Sequence, residues 1–179
     1  VNGDGKGEIL AGYGAKSYLL SDINNDNIPL EIVWKDTVNN WAADLRDFDN
    51  NGIYEGIFRK DNEYQIVHWN NEFQQTVLST FSIPETEQPV FSVPRIIFPD
   101  LEGDGQEEAV FGDFPGNLYI FKKDNQFSYE FMQKIPTGYQ GISDYTLYHD
   151  QNQDGADEIY FISSQIPDIQ SDQLMEYSY

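Results

Sequence analysis

Residues 100–113 read DLEGDGQEEAVFGD, a strongly acidic, glycine-containing stretch that becomes apolar at Ala109. Six of these fourteen residues are Asp or Glu. Carboxylates at this density repel one another, so the stretch is either a solvated turn or part of a site that a cation completes. A single copy would favour the turn, and the choice therefore depends on whether the pattern recurs.

The pattern recurs as Asp-x-Asx/Glu-x-Asp/Asn-Gly-x-x-Glu, with oxygen-bearing side chains at positions 1, 3, 5 and 9 and glycine at position 6. Three copies are complete. In the first copy position 1 falls before Val1, and in the second Asn27 replaces the glycine and Glu31 comes one residue late. We name the copies loop I (2–8), loop II (22–31), loop III (47–55), loop IV (100–108) and loop V (150–158). Five copies with one ligand spacing favour a binding function over chance turn formation.

The spacing suits Ca²⁺, which takes six to eight oxygen ligands at ~2.3–2.6 Å in irregular geometry. Side chains at positions 1, 3 and 5 of a tight loop can converge on one centre. Glycine at position 6 permits a sharp turn through positive φ. A main-chain carbonyl at position 7 and a carboxylate at position 9 complete the coordination shell. Mg²⁺ fits less well because it demands strict octahedral geometry. We predict roughly three to five structural calcium ions.

The predicted ligands comprise acidic and amide side chains together with the position-7 carbonyls of Lys6, Ile53, Gln106 and Ala156. They are Asn2, Asp4, Lys6 and Glu8 in loop I; Asp22, Asn24, Asp26 and Glu31 in loop II; Asp47, Asp49, Asn51, Ile53 and Glu55 in loop III; Asp100, Glu102, Asp104, Gln106 and Glu108 in loop IV; and Asp150, Asn152, Asp154, Ala156 and Glu158 in loop V. Glu107, at position 8 of loop IV, is outside the set and is predicted to be dispensable.

An EF-hand loop begins in the same way but needs a bidentate acid at position 12, followed by a helix. Position 12 is apolar in these loops, where it is Val33, Phe58, Phe111 or Phe161. Each of these residues lies in a β-prone run. The sequence therefore excludes the EF-hand.

Each loop leads into such a β-prone run, and loops II–V also follow one, so the repeating unit is strand, acidic loop, strand. The closing acids are 23, 24, 53 and 50 residues apart. The long intervals suit a four-stranded blade, whereas the short ones leave room only for hairpins. We predict one continuous all-β domain with four segments: short calcium-clipped hairpin repeats (1–40), two blade-like repeats (41–92 and 93–140), and a partial blade with a C-terminal tail (141–179). The aromatic residues expected in its core are Trp34, Phe58, Trp69, Phe111, Phe121 and Phe161.

The loop pattern resembles the FG-GAP/VCBS calcium-loop repeats of integrin α-subunit heads and of many secreted bacterial proteins. The resemblance covers nearly the whole chain, although of the other family signature only FGDFPGN at 111–117 is left. It implies a β-propeller of antiparallel blades with calcium in the blade loops, and a role in adhesion or ligand recognition. At ~50 residues per blade the chain supplies about three to four units, which is either part of a longer propeller or an open ladder that another copy or a partner completes.

Composition excludes several classes of function. The chain has 31 Asp and Glu against 10 Lys and Arg, a formal charge of −21, which excludes nucleic acid and anionic membrane surfaces as direct partners. It contains no cysteine, and no run of about 18 apolar residues that would insert into a membrane. The neighbouring acids Glu107/Glu108 and Asp157/Glu158 would point to opposite faces of a strand and could not flank one bond, so we predict no enzyme.

We therefore expect a secreted, calcium-binding β-repeat protein at the cell surface, with a role in adhesion, surface display or assembly. Its expected partners are a protein or glycan ligand, or further copies that pair through open sheet edges. The tail at 163–179 is either a strand for such pairing or a linker. The alternative is a carbohydrate-binding, lectin-type propeller module or an accessory region of a secreted polysaccharide-active enzyme.

Overall fold

A computed structural model describes residues 1–13, 16–22, 31–38, 40–84, 87, 95–139, 146–163 and 173–177. Regular structure in these ranges consists of β-strands, as the sequence predicts. The strands are β1 (Ile9–Tyr13), β2 (Lys16–Ser21), β3 (Glu31–Lys35), β4 (Trp41–Arg46), β5 (Glu55–Lys60), β6 (Glu63–Trp69), β7 (Gln75–Ser82), β8 (Ala109–Gly112), β9 (Asn117–Asn125), β10 (Ser128–Pro136), β11 (Thr146–His149), β12 (Glu158–Ser163) and β13 (Gln173–Tyr177).

The strands form four antiparallel sheets in the orders β1-β2-β3, β4-β5-β6-β7, β10-β9-β8 and β11-β12-β13. Within the described ranges none of these sheets closes on itself. The apolar run LYIF in β9 is fully buried on both faces, as expected when a sheet is covered on both sides. The prediction of an all-β, antiparallel fold is confirmed.

The chain divides into two compact units, Val1–Phe81 and Ser82–Tyr179. In the first unit the β1-β2-β3 sheet packs against the four-stranded sheet. In the second unit β8 and β9 pack against β12. The core of the first unit is Leu19, Phe58, Val67 and Trp69, and that of the second is Ile97, Leu101, Val110, Leu118, Ile120, Ile159 and Phe161. Five of the six aromatic residues predicted to lie in the core are at most 2% exposed, and Trp34 is half-buried against Phe58 and Trp69.

The first 40 residues differ from the two predicted hairpins because β2 uses both of its edges. Leu20 pairs with Ile9 on β1 and with Ile32 on β3, so the two hairpins share one strand and make a single sheet. Loop II lies between β2 and β3 in the chain, and two residues separate β1 from β2. The short spacing of the closing acids therefore reflects a shared strand.

Two further elements depart from the expected blades. Among the described residues 95–99, which precede loop IV, the pairing is a bridge between Ile97 and Val110, because Pro99 can accept the Glu108 N–H but has no N–H to extend the ladder. In the C-terminal segment β13 pairs antiparallel with β12 of its own chain. The tail thus supplies a strand to this molecule's own sheet.

Candidate metal centres

The four described loops share one hydrogen-bonding scheme at their closing glutamate. In loops III–V the position-9 carboxylate accepts a hydrogen bond from the main-chain N–H at position 2, and in loop I the terminal amino group of Val1 makes the corresponding contact. The donors and distances are Val1 to Glu8 at 2.5 Å, Phe48 to Glu55 at 3.1 Å, Leu101 to Glu108 at 2.9 Å and Gln151 to Glu158 at 2.9 Å. Each glutamate side chain is at least 95% buried. The scheme fixes the last carboxylate beneath the start of its own loop.

Position 5 repeats a second bond, in which the side-chain oxygen accepts the N–H of position 7. This bond runs from Lys6 to Asp4, Ile53 to Asn51, Gln106 to Asp104 and Ala156 to Asp154, at 2.7–3.0 Å. In loops III–V the position-1 Asp also accepts the N–H of the position-6 glycine, at 2.8–3.0 Å. These bonds turn the position-5 side chain of each described loop, and the position-1 Asp of loops III–V, toward the main chain of their own loop.

The loop backbone adopts a left-handed conformation, with positive φ, at two positions. Position 6 is glycine in loops I, III, IV and V, with φ between 81° and 99° at Gly5, Gly52, Gly105 and Gly155. Position 4 is also left-handed, although two of its four residues carry side chains: Gly3, Asn50, Gly103 and Gln153 have φ between 57° and 74°. The sequence pattern missed position 4. Its signal was weak, because a left-handed position is favoured for Gly and tolerated by Asn, but rarely adopted by Gln.

Loop III brings three of its predicted ligands close together. Carboxylate oxygens of Asp47, Asp49 and Glu55 lie within 4.8 Å of one another, and this is the only such acidic group of three among the described residues. Burial, with Asp49 and Asp47 nearby, raises the pKa of Glu55 above its usual value. These three predicted ligands are placed where one cation could contact all of them.

Loop IV contains a buried carboxylate oxygen that no described residue satisfies. Glu108 is 1% exposed, and while its Oε2 accepts the Leu101 N–H, its Oε1 has no hydrogen-bond partner among the described residues. Burial, with Glu102 and Asp104 nearby, raises the pKa of Glu108. Glu102 itself is not grouped with the other acids, because its longer side chain reaches Lys122 at 2.5 Å. The structure thus supports Glu108 as a ligand more strongly than Glu102.

In loop V, unlike loop IV, both oxygens of the closing glutamate accept a hydrogen bond from within the loop. Asn152 donates to Glu158 Oε1 at 2.7 Å and accepts the Asp154 N–H at 2.8 Å. Asp150 Oδ1 is buried and lacks a hydrogen-bond partner in the part of the chain that the structure describes. In this loop Asp150 is therefore the side chain with a spare oxygen.

Loops I and II adjoin each other through Lys6, whose Nζ donates to the main-chain oxygen of Asp22 at 2.9 Å. Asp22 is buried, and Glu31 begins β3. The remaining predicted ligands of loop II, Asn24 and Asp26, lie outside the described residues.

Sequence reasoning did not single out the acid five residues after the closing glutamate. Asp113 is 1% exposed and accepts hydrogen bonds from the N–H groups of Gly116 and Asn117 and from the hydroxyl of Tyr119. Asp36 closes a comparable turn by accepting the N–H of Asn40. The motif FGDFPGN is thus a turn held by a buried aspartate, which the Asp-Phe-Pro-Gly-Asn run could have indicated.

Comparison with protein-family models and with curated proteins found no match to this chain. The described part of the chain holds no helix with the length and apolar character that a membrane crossing requires. The FG-GAP/VCBS resemblance therefore depends on the loops themselves.

The pKa shifts predict how the stability of calcium-stripped protein depends on pH. Because burial favours the protonated forms of Glu55 and Glu108, their folded pKa values lie above the ordinary 4.5, and their ionisation destabilises the folded state. The melting temperature should therefore rise as the pH falls from 7 toward 5. A melting temperature that drops over this window would contradict the assignment.

At lower pH we expect the stability of the stripped protein to fall as the pH falls. The Lys6 N–H lowers the pKa of Asp4. At Asp47 burial alone would raise the pKa, but hydrogen bonds from the N–H groups of Gly52 and Asn51 outweigh burial and hold the pKa below 3.8. Their stabilising contribution is present above the ordinary pKa and is lost as the pH falls through the lowered value. Stability should therefore decline again in strong acid, which thermal melts of stripped protein will show.

Proposed function

We propose that the protein is a calcium-binding β-repeat protein in which Ca²⁺ is a structural ion, bound in loops that connect the strands of propeller-type blades. The observation that carries this proposal is Glu108, a buried carboxylate with one oxygen satisfied by the main chain and the other by no described residue. A buried carboxylate oxygen without a partner costs free energy that a bound cation would offset.

The common loop scheme supports the same conclusion. Four described loops, distant in sequence, hold their position-5 and position-9 oxygens by equivalent main-chain bonds, and loop III gathers three carboxylates within 4.8 Å. Oxygen-only ligands with irregular spacing suit Ca²⁺ better than Mg²⁺, and the donor set contains no thiolate that would favour a softer metal. Five calcium ions would also neutralise about half of the formal charge of −21.

The proposed setting is extracellular, with a role in adhesion, surface display or assembly. Calcium sites of extracellular modules bind with Kd values of about 10⁻⁴–10⁻³ M, so they fill outside the cell and empty inside it. Strand β7 lies at the edge of its sheet and exposes Val77 and Leu78 by 48% and 41%. An exposed apolar edge is suited to pairing with a protein partner or with another copy.

Ion counting tests the metal assignment. Asp104→Ala removes a position-5 ligand and should reduce the calcium stoichiometry by one ion in native mass spectrometry. Glu107→Gln removes a neighbouring acid from position 8 and should leave the stoichiometry unchanged. Equal losses in both variants would contradict the assigned ligand positions, and full occupancy in Asp104→Ala would contradict the site itself.

A lectin role is the second candidate because Trp41, at the start of β4, is 37% exposed whereas Trp69 is fully buried. An exposed indole is a suitable stacking surface for a sugar ring. A glycan array with the wild type and Trp41→Ala discriminates the two roles. Glycan binding that disappears in the variant would favour the lectin, and absence of glycan binding by the calcium-loaded wild type would leave adhesion through protein contacts.

A further inference from the structure

Loops IV and V contact each other within the second unit. The main-chain N–H of Asp100 donates to Oδ2 of Asp157 at 2.9 Å, and the N–H of Asp157 donates to the carbonyl oxygen of Asp100 at 2.7 Å. Beside them the left-handed Gly103 lies against Gly155, where an added Cβ would come within 3.1 Å of main-chain atoms. Each loop therefore forms part of the other's immediate surroundings.

Asp157 is the residue through which this contact runs. It occupies position 8 of loop V, between Ala156 and Glu158, which are the proposed carbonyl and carboxylate ligands of that loop. Its partner Asp100 is the proposed position-1 ligand of loop IV. The two hydrogen bonds therefore join the last proposed ligands of loop V to the first proposed ligand of loop IV.

Each of the two loops also contains an oxygen that points to a ligand independently of the acidic spacing. Glu108 Oε1 in loop IV and Asp150 Oδ1 in loop V are buried, and no described residue hydrogen-bonds to either atom. Glu108 is 99% buried as a residue. A polar atom this deeply buried is normally satisfied, so a bound cation in each loop would explain the pair.

We propose that loops IV and V bind their two calcium ions cooperatively, with Asp157 as the positioning residue that couples them. The inference rests on the proposed calcium function. An ion in loop V fixes Ala156 and Glu158, and hence Asp157 between them, which holds the main chain of Asp100 in place for the ion of loop IV. The coupling is reciprocal because affinities linked in this way change by the same factor. The Asp157 carboxylate also places negative charge next to both cation sites, which reduces their mutual repulsion.

Loops I and III supply an internal comparison. Gly3 approaches Ile53, and a Cβ on Gly3 would lie 3.2 Å from the Ile53 Cδ1 atom. Position 8 of loop III is Tyr54, which has no carboxylate to accept a bond from the neighbouring loop. The loop contact is thus common to both units, whereas the carboxylate bridge is a feature of the loop IV–loop V pair.

A calcium titration of the full chain followed by NMR tests the coupling, with the amides of Gly105 and Gly155 as separate reporters. Each amide donates to the first Asp of its own loop, at 2.8 and 3.0 Å. Asp154→Ala, which disables loop V at an exposed position, should raise the calcium concentration at the Gly105 midpoint about fivefold or more. Asp157→Ala should raise the same midpoint while Gly155 still responds to calcium.

Three comparisons distinguish coupling from general damage. Asp157→Asn keeps an oxygen acceptor for the Asp100 N–H and should recover part of the lost affinity at Gly105. The substitution Asp154→Ala should shift the Gly105 midpoint less when it is made in the Asp157→Ala variant than when it is made in the wild type. Glu130→Gln removes one exposed charge from β10 and should leave both midpoints unchanged.

Two outcomes would overturn the inference and are distinguishable. Calcium-dependent shifts at both glycines, with a Gly105 midpoint that neither Asp154→Ala nor Asp157→Ala moves, would refute the coupling and leave the calcium function standing. Absence of any calcium-dependent shift at either glycine in the wild type would refute both proposals. Because Asp154 is exposed, its variant decides the question even where Asp157→Ala fails to fold.

Discussion

Removal of calcium is expected to lower the melting temperature of this protein by on the order of 20 °C. A ligand that binds only the folded state stabilises it by RT ln(1 + [L]/Kd), which is ~2.7 kcal/mol per site at a calcium concentration 100-fold above Kd. Each compact unit contains two described loops, so about 5 kcal/mol per unit is lost with the metal. For units of this size 1 kcal/mol shifts the melting temperature by roughly 4–8 °C.

Electrostatics add to this loss. Without bound cations the formal charge of −21 is uncompensated, and acids such as Asp47, Asp49 and Glu55 face one another within 4.8 Å. Like charges held together in the folded state and separated in the unfolded chain favour unfolding. Stripped protein should therefore melt early, and it is expected to regain its stability on addition of Ca²⁺.

Differential scanning calorimetry in EDTA, in calcium and in magnesium provides the measurement. Calcium should restore the original melt and magnesium should restore less of it, because Mg²⁺ gives up its water shell reluctantly. A melt that is the same in EDTA and in calcium would refute a structural metal. Equal restoration by magnesium and calcium would refute the assignment of calcium.

Glu108→Gln is expected to lower stability in calcium but not in its absence. With calcium the variant should lose one ion and ~2.7 kcal/mol or more, because an amide replaces a charged ligand. Without calcium it should be as stable as the wild type or more stable, since the carboxylate whose pKa is raised by burial is gone. Ordinary damage to the core would lower stability in both conditions.

Urea denaturation of wild type and variant in calcium and in EDTA gives the four free energies of unfolding. Glu107→Gln is the matched control, because it makes the same chemical change one residue earlier and should behave like the wild type in both conditions. A loss of equal size with and without calcium would assign Glu108 a purely structural role. Unchanged stability in calcium would remove it from the proposed ligand set.

The regular parts of the site were predictable from local sequence. Glycine at position 6, the inward-facing oxygens at positions 5 and 9, and the apolar strand that follows all depend on neighbours within about ten residues, where spacing dictates geometry. The apolar runs after the closing acids did form strands, such as β5 and β8. Position 4 escaped prediction because its residues share no type: it is glycine in two loops, Asn50 in a third and Gln153 in a fourth, and Gln rarely adopts the left-handed conformation.

Contacts between distant segments were not predictable. Glu102 and Asp104 both occupy predicted ligand positions, yet Glu102 pairs with Lys122, twenty residues away. The two hairpins expected before residue 40 became one sheet because β2 found a partner on both edges. Each of these outcomes depends on which side chain or strand edge lies opposite in the folded chain.

Sequence by itself determined that this protein is built from β-strands joined by acidic loops of one recurring geometry, because both features follow from the spacing of nearby residues. Tertiary structure alone decided whether acids at the same loop position make the same contacts. Glu107 and Asp157 occupy the same position of loops IV and V, but only Asp157 reaches the Asp100 N–H, 57 residues away. The physical reason is that a hydrogen bond requires two groups within about 3 Å, and packing of the sheets sets that distance for groups so far apart in the chain.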